Sequence, residues 1–315
     1  MERRPEQVTI GIITIVATVL AMSFADAVVK YVSATFTLWQ IYVLRSLIVI
    51  PALILISGVG SRSFRTGWRL GGWVGLRSLL LALMYVAIYA AVPVLSLSVI
   101  AASLYTAPLF IALLSALLIG EPVGLRRWAG IVIGFAGVLL ILRPAADGFT
   151  ALALIPVAAA LLYAMAAIIT RSKCIDEAPM TLALGLNLAL LGVGTIATLA
   201  LSLGRPMLPA ASAYPFLLGA WGAMDPRNLA VLALLAALML AISLGLAKAY
   251  QSAPPTIIAT FDYCYLPFAA FWSYAIFSEP PDLATIGGMV LIAMAGLIVM
   301  PRPRTVQQKA EAPAR

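Results

Sequence analysis

From residue 8 to residue 300 the sequence reads as ten apolar runs, at 8–30, 36–58, 68–92, 94–118, 124–142, 150–171, 178–203, 228–251, 253–277 and 282–300. A helix needs about 20 apolar residues to cross the hydrocarbon core of a bilayer. Ten crossings of about 22 residues use roughly 220 positions, which leaves termini and loops but no sizeable soluble domain. Composition agrees: 63% of the 315 residues are hydrophobic and only 10% are charged, whereas a soluble domain carries about 25% charged residues. The solvent for most of this chain is therefore lipid. The expected fold class is all-α integral membrane, with ten transmembrane helices.

The residue inventory removes several chemistries. There is no histidine, and the only cysteines are Cys174 and Cys264. Histidine metal sites, Ser-His-Asp triads and imidazole relays are excluded, and two thiols do not make a cysteine-rich zinc site. No metal and no cofactor is expected. No G-x-x-x-x-G-K-[ST] loop is present, so the chain has no phosphate-cradling motif for ATP. An intramembrane enzyme would need a nucleophile with a base or paired acids, and no such cluster stands out. The net charge of +8 does not imply nucleic acid, because the basic residues sit in short joints between apolar runs.

Those basic residues set the orientation. With the N terminus inside, inner segments hold fourteen of the twenty Lys and Arg and outer loops four (Lys30, Arg143, Arg205 and Arg227), while Arg45 and Arg77 fall within runs. The positive-inside rule then places both termini in the cytoplasm. Ala25-Asp26-Ala27 has the look of a small-residue cleavage site, but the run is long enough to span and is read as the first helix. The joint between the seventh and eighth runs carries Pro206, Pro209, Pro215, Trp221 and Pro226 and is expected to hold a short interfacial segment. The tail 304–315 is polar and basic and is read as disordered and cytoplasmic.

The sequence also repeats itself. A shift of 158 lays Val99-Ile100-Ala101 on Ile257-Ile258-Ala259, Gly120-Glu121-Pro122 on Ser278-Glu279-Pro280, and Gly130 on Gly288; Pro108 lands one residue from Pro267. Five runs per copy is an odd number, so the copies, 8–144 and 150–303, are expected to be inverted. The charges follow: Arg126 and Arg127 after the first Glu-Pro turn are matched by Ala284 and Thr285 after the second. Inverted repeats with interrupted helices at matching positions point to a midplane solute site, here at Pro108 and Pro267.

At this level the chain resembles a known family. SLYTAPLFIALLSALLIGEPVGLRRWAGIVIGFAGVLLILRP (103–144) and TFDYCYLPFAAFWSYAIFSEPPDLATIGGMVLIAMAGLIVMPRP (260–303) resemble the ends of two EamA-type domains of the drug/metabolite transporter superfamily. The resemblance implies ten helices around a central cavity, the fifth and tenth peripheral, and a secondary transporter of a small organic metabolite rather than an enzyme. Similar proteins take up riboflavin or S-adenosylmethionine, so the expected activity is uptake of a ring-bearing solute of that kind across the inner membrane, with export of amino acids or related metabolites as the alternative. Its expected partners are a small-molecule solute and membrane lipid. The second copy departs from the first where Ser278 replaces glycine and Pro281 adds a proline.

Ionisable groups inside spans are functional candidates because each costs several kcal/mol to insert. Asp26, Arg45, Arg77 and Asp262 qualify, with Lys30 and Lys248 nearer the ends. Asp262 paired with either arginine is the structural alternative. With no histidine, Asp26 and Asp262 are the natural carriers of a coupling proton. The ninth run bears Phe261, Tyr265, Phe268 and Trp272 at i, i+4, i+7 and i+11, one helical face that reads either as helix packing or a lipid-facing belt or as a stacking platform for a planar or cationic solute. Tyr85, Tyr89 and Tyr105 could add rings and hydroxyls. The spacing Gly130, Gly134, Gly137 reads as a close-packing seam, within the bundle or between two copies of a homodimer.

Overall fold

The structure, a computed structural model, describes residues 5–32, 35–57, 71–91, 104–121, 123–142, 154–204, 215–278 and 282–299, and among them every regular element is a helix. They are α1 (Pro5–Val32), α2 (Leu38–Ser57), α3 (Gly71–Ala91), α4 (Ala107–Leu118), α5 (Leu125–Leu142), α6 (Leu154–Ser172), α7 (Pro179–Gly204), α8 (Pro215–Leu218), α9 (Pro226–Ser252), α10 (Pro255–Asp262), α11 (Tyr265–Phe277) and α12 (Leu283–Val299). Six of them, α1, α2, α3, α6, α7 and α9, are long and apolar enough to cross a membrane. The tail 304–315, the joint 143–153 and the Glu279-Pro280 turn lie outside the described residues.

Local chemistry explains the ends. Proline opens α1, α7, α8, α9 and α10, where its missing N–H is one the helix could not have bonded and its fixed φ suits the first turn. Asp225 caps α9 by accepting from Asn228 N at 2.7 Å. Within the spans, hydroxyls return their protons to the preceding turn: Thr14, Thr18, Thr170 and Ser172 each donate to the carbonyl four residues back. In hydrocarbon, where water cannot serve, that internal satisfaction is required.

The surface is apolar and the interior mixed, as expected where lipid is the solvent. Leu55, Ile196 and Leu297 are 76%, 69% and 68% exposed, while Gln40, Asn187 and Arg77 are 1% exposed or less. Four pairings build the bundle: α1 on α9, α3 on α6, α2 on α7 and α5 along α12. The glycine spacing on α5 lies in the last of these. A Cβ on Gly137 would stand 2.7 Å from the Gly288 carbonyl oxygen, and one on Gly134 would collide with the Tyr263 ring. Its close approach is made inside the chain.

The ninth run departs from expectation. It is two helices, α10 and α11, separated by a turn at Tyr263–Cys264, where Cys264 N bonds Phe261 O and Leu266 N bonds Tyr263 O. Pro267, the third residue of α11, has no N–H for the Tyr263 carbonyl, so the i→i−4 ladder is interrupted at the turn. A turn at Tyr105–Thr106 likewise precedes α4 and Pro108. The two turns are 158 residues apart.

The joint before α9 forms a strap across one end. Residues 205–214 lie outside the described part; the rest contains α8, and Trp39 Nε1 donates to Leu217 O at 2.7 Å. The buried Gln40 amide holds both backbone groups of Gly222, donating to its oxygen at 2.9 Å and accepting from its nitrogen at 2.8 Å. A cavity of about 230 Å³ opens beside the strap, lined by Trp39, Thr198, Leu201, Ser202, Gly219 and Trp221. It holds no ionisable side chain and is separate from the candidate site.

Candidate functional site

The broken helix carries the chemistry. Asp262 is the last residue of α10 and only 9% exposed. Its Oδ2 accepts from Tyr163 of α6 at 2.8 Å and from Tyr250 of α9 at 2.9 Å. The two phenol oxygens are 3.3 Å apart, and the rings meet edge-on at 6.2 Å. No arginine or lysine among the described residues pairs with Asp262, so the ion pair considered from sequence is not formed. Three elements meet at this one oxygen, each supplying a single side chain.

A second carboxylate lies across the turn. Tyr265, the first residue of α11, donates to Asp26 Oδ2 of α1 at 2.7 Å. Asp26 is exposed, whereas Asp262 is buried. Tyr105 sets its ring 5.9 Å from that of Tyr265 and 6.2 Å from that of Tyr263. Asp26 and Tyr85 of α3 both lie within electrostatic reach of Arg45 of α2. The Arg45 guanidinium stands 5.6 Å from the centre of the Tyr42 ring, and its buried Nε has no hydrogen-bond partner among the described residues. Asp26, Arg45, Tyr85, Tyr105 and Tyr265 thus form one group drawn from five parts of the chain.

Other candidates fall elsewhere. Arg77 is fully buried, its Nε donating to Thr170 Oγ1 at 2.8 Å and its Nη1 to Leu182 O at 3.1 Å. It ties α3 to α6 and α7 through neutral oxygens. Phe268 packs with the apolar cluster of α1, α9 and α10. The break at Tyr263–Cys264 interrupts the helix that carries the aromatic face, yet Phe261, Tyr265 and Phe268 still pack in one apolar cluster. Phe261 lies against Gly296 of α12, Tyr265 meets Asp26, and Trp272 lies 4.6 Å from Phe24. Lys248 is exposed; the side chains of Lys30 and Tyr89 lie outside the described residues. Tyr163 and Tyr250 were missed from sequence. Each is one tyrosine in a long apolar helix, with no local pattern to single it out.

Opposite the strap, the bundle is tied by charge. Arg171, one residue before the end of α6, donates to Glu121 Oε1 from Nε at 3.1 Å and Nη2 at 3.0 Å, and from Nη1 to Gln251 O at 3.4 Å. Gln251 Nε2 reaches the carbonyls of Cys174 and Glu177 at 2.6 and 2.7 Å. Burial pushes the Cys174 thiol up to about 11 and raises the Glu177 carboxyl.

Residues 9–143 match the model of the EamA-like transporter family. Over 308 residues the chain is 30% identical to a riboflavin transporter of Rhizobium johnstonii, a similarity that spans 94% of this chain and 92% of that one. The chain belongs to the EamA-like transporter family. It is a multi-pass membrane transporter. Another family relative, an S-adenosylmethionine uptake transporter of Rickettsia felis, is 31% identical over 62% of this chain and 60% of its own length. A solved crystal structure of a protein 16% identical in sequence shares the fold, with a TM-score of 0.72 over 98% of this chain and all of that one. Among the described residues no three His, Cys, Asp or Glu side chains gather to hold a metal.

Proposed function

We propose that this EamA-like transporter takes up a planar, ring-bearing metabolite of the flavin type across a bacterial inner membrane. Two inverted halves, 8–144 and 150–303, move about a site between α1, α2, α3, α4 and α11, with both termini in the cytoplasm. The observation that carries the solute class is the end-to-end similarity to a riboflavin transporter. The pairings support the two halves. In helix order α1 answers to α6 and α3 to α9, and the contact of α1 on α9 is then repeated by that of α6 on α3.

The side chains suit such a solute. The imide edge of an isoalloxazine presents carbonyl, N–H, carbonyl. The Asp26 carboxylate, held by the Tyr265 hydroxyl, accepts from the N–H, while Arg45 and the Tyr85 hydroxyl donate to the carbonyls. The rings of Tyr105 and Tyr265 offer faces for the tricycle, with Phe268 at its apolar edge. Arg77 and the helix breaks at Pro108 and Pro267 hold the surrounding helices in place.

The test is riboflavin entry, followed by its fluorescence, in a bacterium that neither makes nor imports riboflavin. Expression of this chain restores entry, and Asp26→Ala or Tyr105→Ala lowers its kcat/KM by about tenfold, the loss of roughly 1.4 kcal/mol of transition-state binding. Entry of S-adenosylmethionine without riboflavin would move the solute class to a cationic sulfonium. Efflux of amino acids with entry of neither would reverse the direction.

A further inference from the structure

We propose that Asp262 is the coupling site of the transporter, carrying one proton inward with each solute, and that Tyr163 and Tyr250 are positioning residues that hold its anionic form. The inference rests on the uptake reading above and adds to it the driving ion.

Three observations carry it. First, Asp262 is a buried acid whose described partners are both phenols, on α6 and α9. An anion inside a span without a counter-charge is costly and is functional by default. Second, the acid does no work for the break it occupies. Its oxygens accept from the two phenols and from no backbone N–H of the Tyr263–Cys264 turn. The matching turn at Tyr105–Thr106 has Leu104 where this one has Asp262, so such a turn forms without a carboxyl. Third, the acid stands at the point where the ninth run loses helical continuity, while its two donors stand on uninterrupted helices. Movement of α10 and α11 against α6 and α9 therefore separates acid from donors. With both phenols in place the carboxylate is held; parted from them in an apolar interior, it must take a proton or meet solvent.

The surroundings hold little that would substitute. The turns contribute Tyr105, Tyr263 and the Cys264 thiol. Arg77 of α3 lies near Tyr163 but spends its donors on Thr170 and Leu182. Asp26 of α1 bonds Tyr265 on the far side of the turn. In the cycle, the carboxylate of Asp262 binds a proton from the outer side and releases it to the inner side. One positive charge then enters with each neutral solute.

The experiment uses the full chain in liposomes, with riboflavin as the probe. Acid outside by one pH unit drives up to about tenfold accumulation at one proton per solute. Wild type accumulates. Asp262→Asn only equilibrates, yet keeps riboflavin counterflow, which needs no net proton. Tyr163→Phe and Tyr250→Phe accumulate less and move the pH optimum, with counterflow kept. Accumulation by Asp262→Asn equal to wild type, or wild-type accumulation indifferent to the gradient, overturns the proposal. Absence of all riboflavin exchange in wild type would instead overturn the uptake reading. The coupling site is then read without solute: the acid-minus-alkaline infrared spectrum shows a protonated carboxyl band that Asp262→Asn removes. A band unchanged in that variant overturns the proposal.

Discussion

Gly120 and Ser278 stand 158 residues apart and adopt the same left-handed backbone, with φ of 65° and 58°. Each ends a helix, α4 and α11, directly before a Glu-Pro pair in the sequence. Glycine takes up this conformation freely, whereas a residue with a Cβ is strained there by about 1–2 kcal/mol. Serine at 278 thus keeps the shape of its counterpart at a cost. Ser278→Gly should raise stability by about 1 kcal/mol, and Ser278→Val should lower it. Thermal unfolding in detergent reads both; an unchanged midpoint for glycine would mean the turn is free to relax.

The match of those two turns also shows what the sequence could convey. Apolar runs, glycine spacing and Glu-Pro pairs are local, and from them the helices, the α5 seam and the candidate acids were legible. The spacing of the aromatic face runs through Tyr263–Cys264 as one helical period; the turn there, beside Pro267, breaks that period and leaves Phe261, Tyr265 and Phe268 in one cluster, with Trp272 against Phe24. Tyr163 and Tyr250 were not legible, since what distinguishes them is convergence on Asp262 from positions 99 and 12 residues away. The partners of Arg77, an uncharged hydroxyl and a carbonyl, carry no signature beside it in the chain either.

Gly137 gives a test of the seam. The added Cβ would meet backbone, the Gly288 oxygen at 2.7 Å, and backbone cannot rotate aside as a side chain does. Gly137→Val should therefore push α5 from α12 and destabilise the protein by about 1–3 kcal/mol, the usual range for overpacking. Gly72, with open space around its Cβ position, is the control. Equal unfolding midpoints for Gly137→Val and Gly72→Val would show that the helices are not in close contact.

Asp26 and Tyr265 join α1 to α11 by a hydrogen bond of 2.7 Å. If both also touch solute, their contributions to riboflavin transport are not independent. Asp26→Asn, Tyr265→Phe and the double variant should show a coupling energy of about 0.5–3 kcal/mol in kcat/KM. Additive effects would mean the pair acts only as a tether between helices.

The Glu121–Arg171 pair predicts how the end opposite the strap opens. Its side chains are 25% and 14% exposed, so it is a partly buried tie between the α4–α5 turn and α6. Gln251 beside it covers the 174–177 segment through two carbonyls. Cys174 lies beneath, fully buried, its thiol pushed up to about 11 by burial. A thiol of that kind is protonated at pH 7–8 and reacts slowly, because the thiolate is the nucleophile. Any opening of this end for release must part Glu121 from Arg171 and uncover Cys174. Arg171→Gln should therefore speed maleimide labelling of Cys174 several-fold, and high salt should do the same in wild type by screening the pair. A Cys264→Ala background confines labelling to Cys174. Labelling of Cys174 as slow in Arg171→Gln as in wild type would show that the ion pair does not hold this end closed.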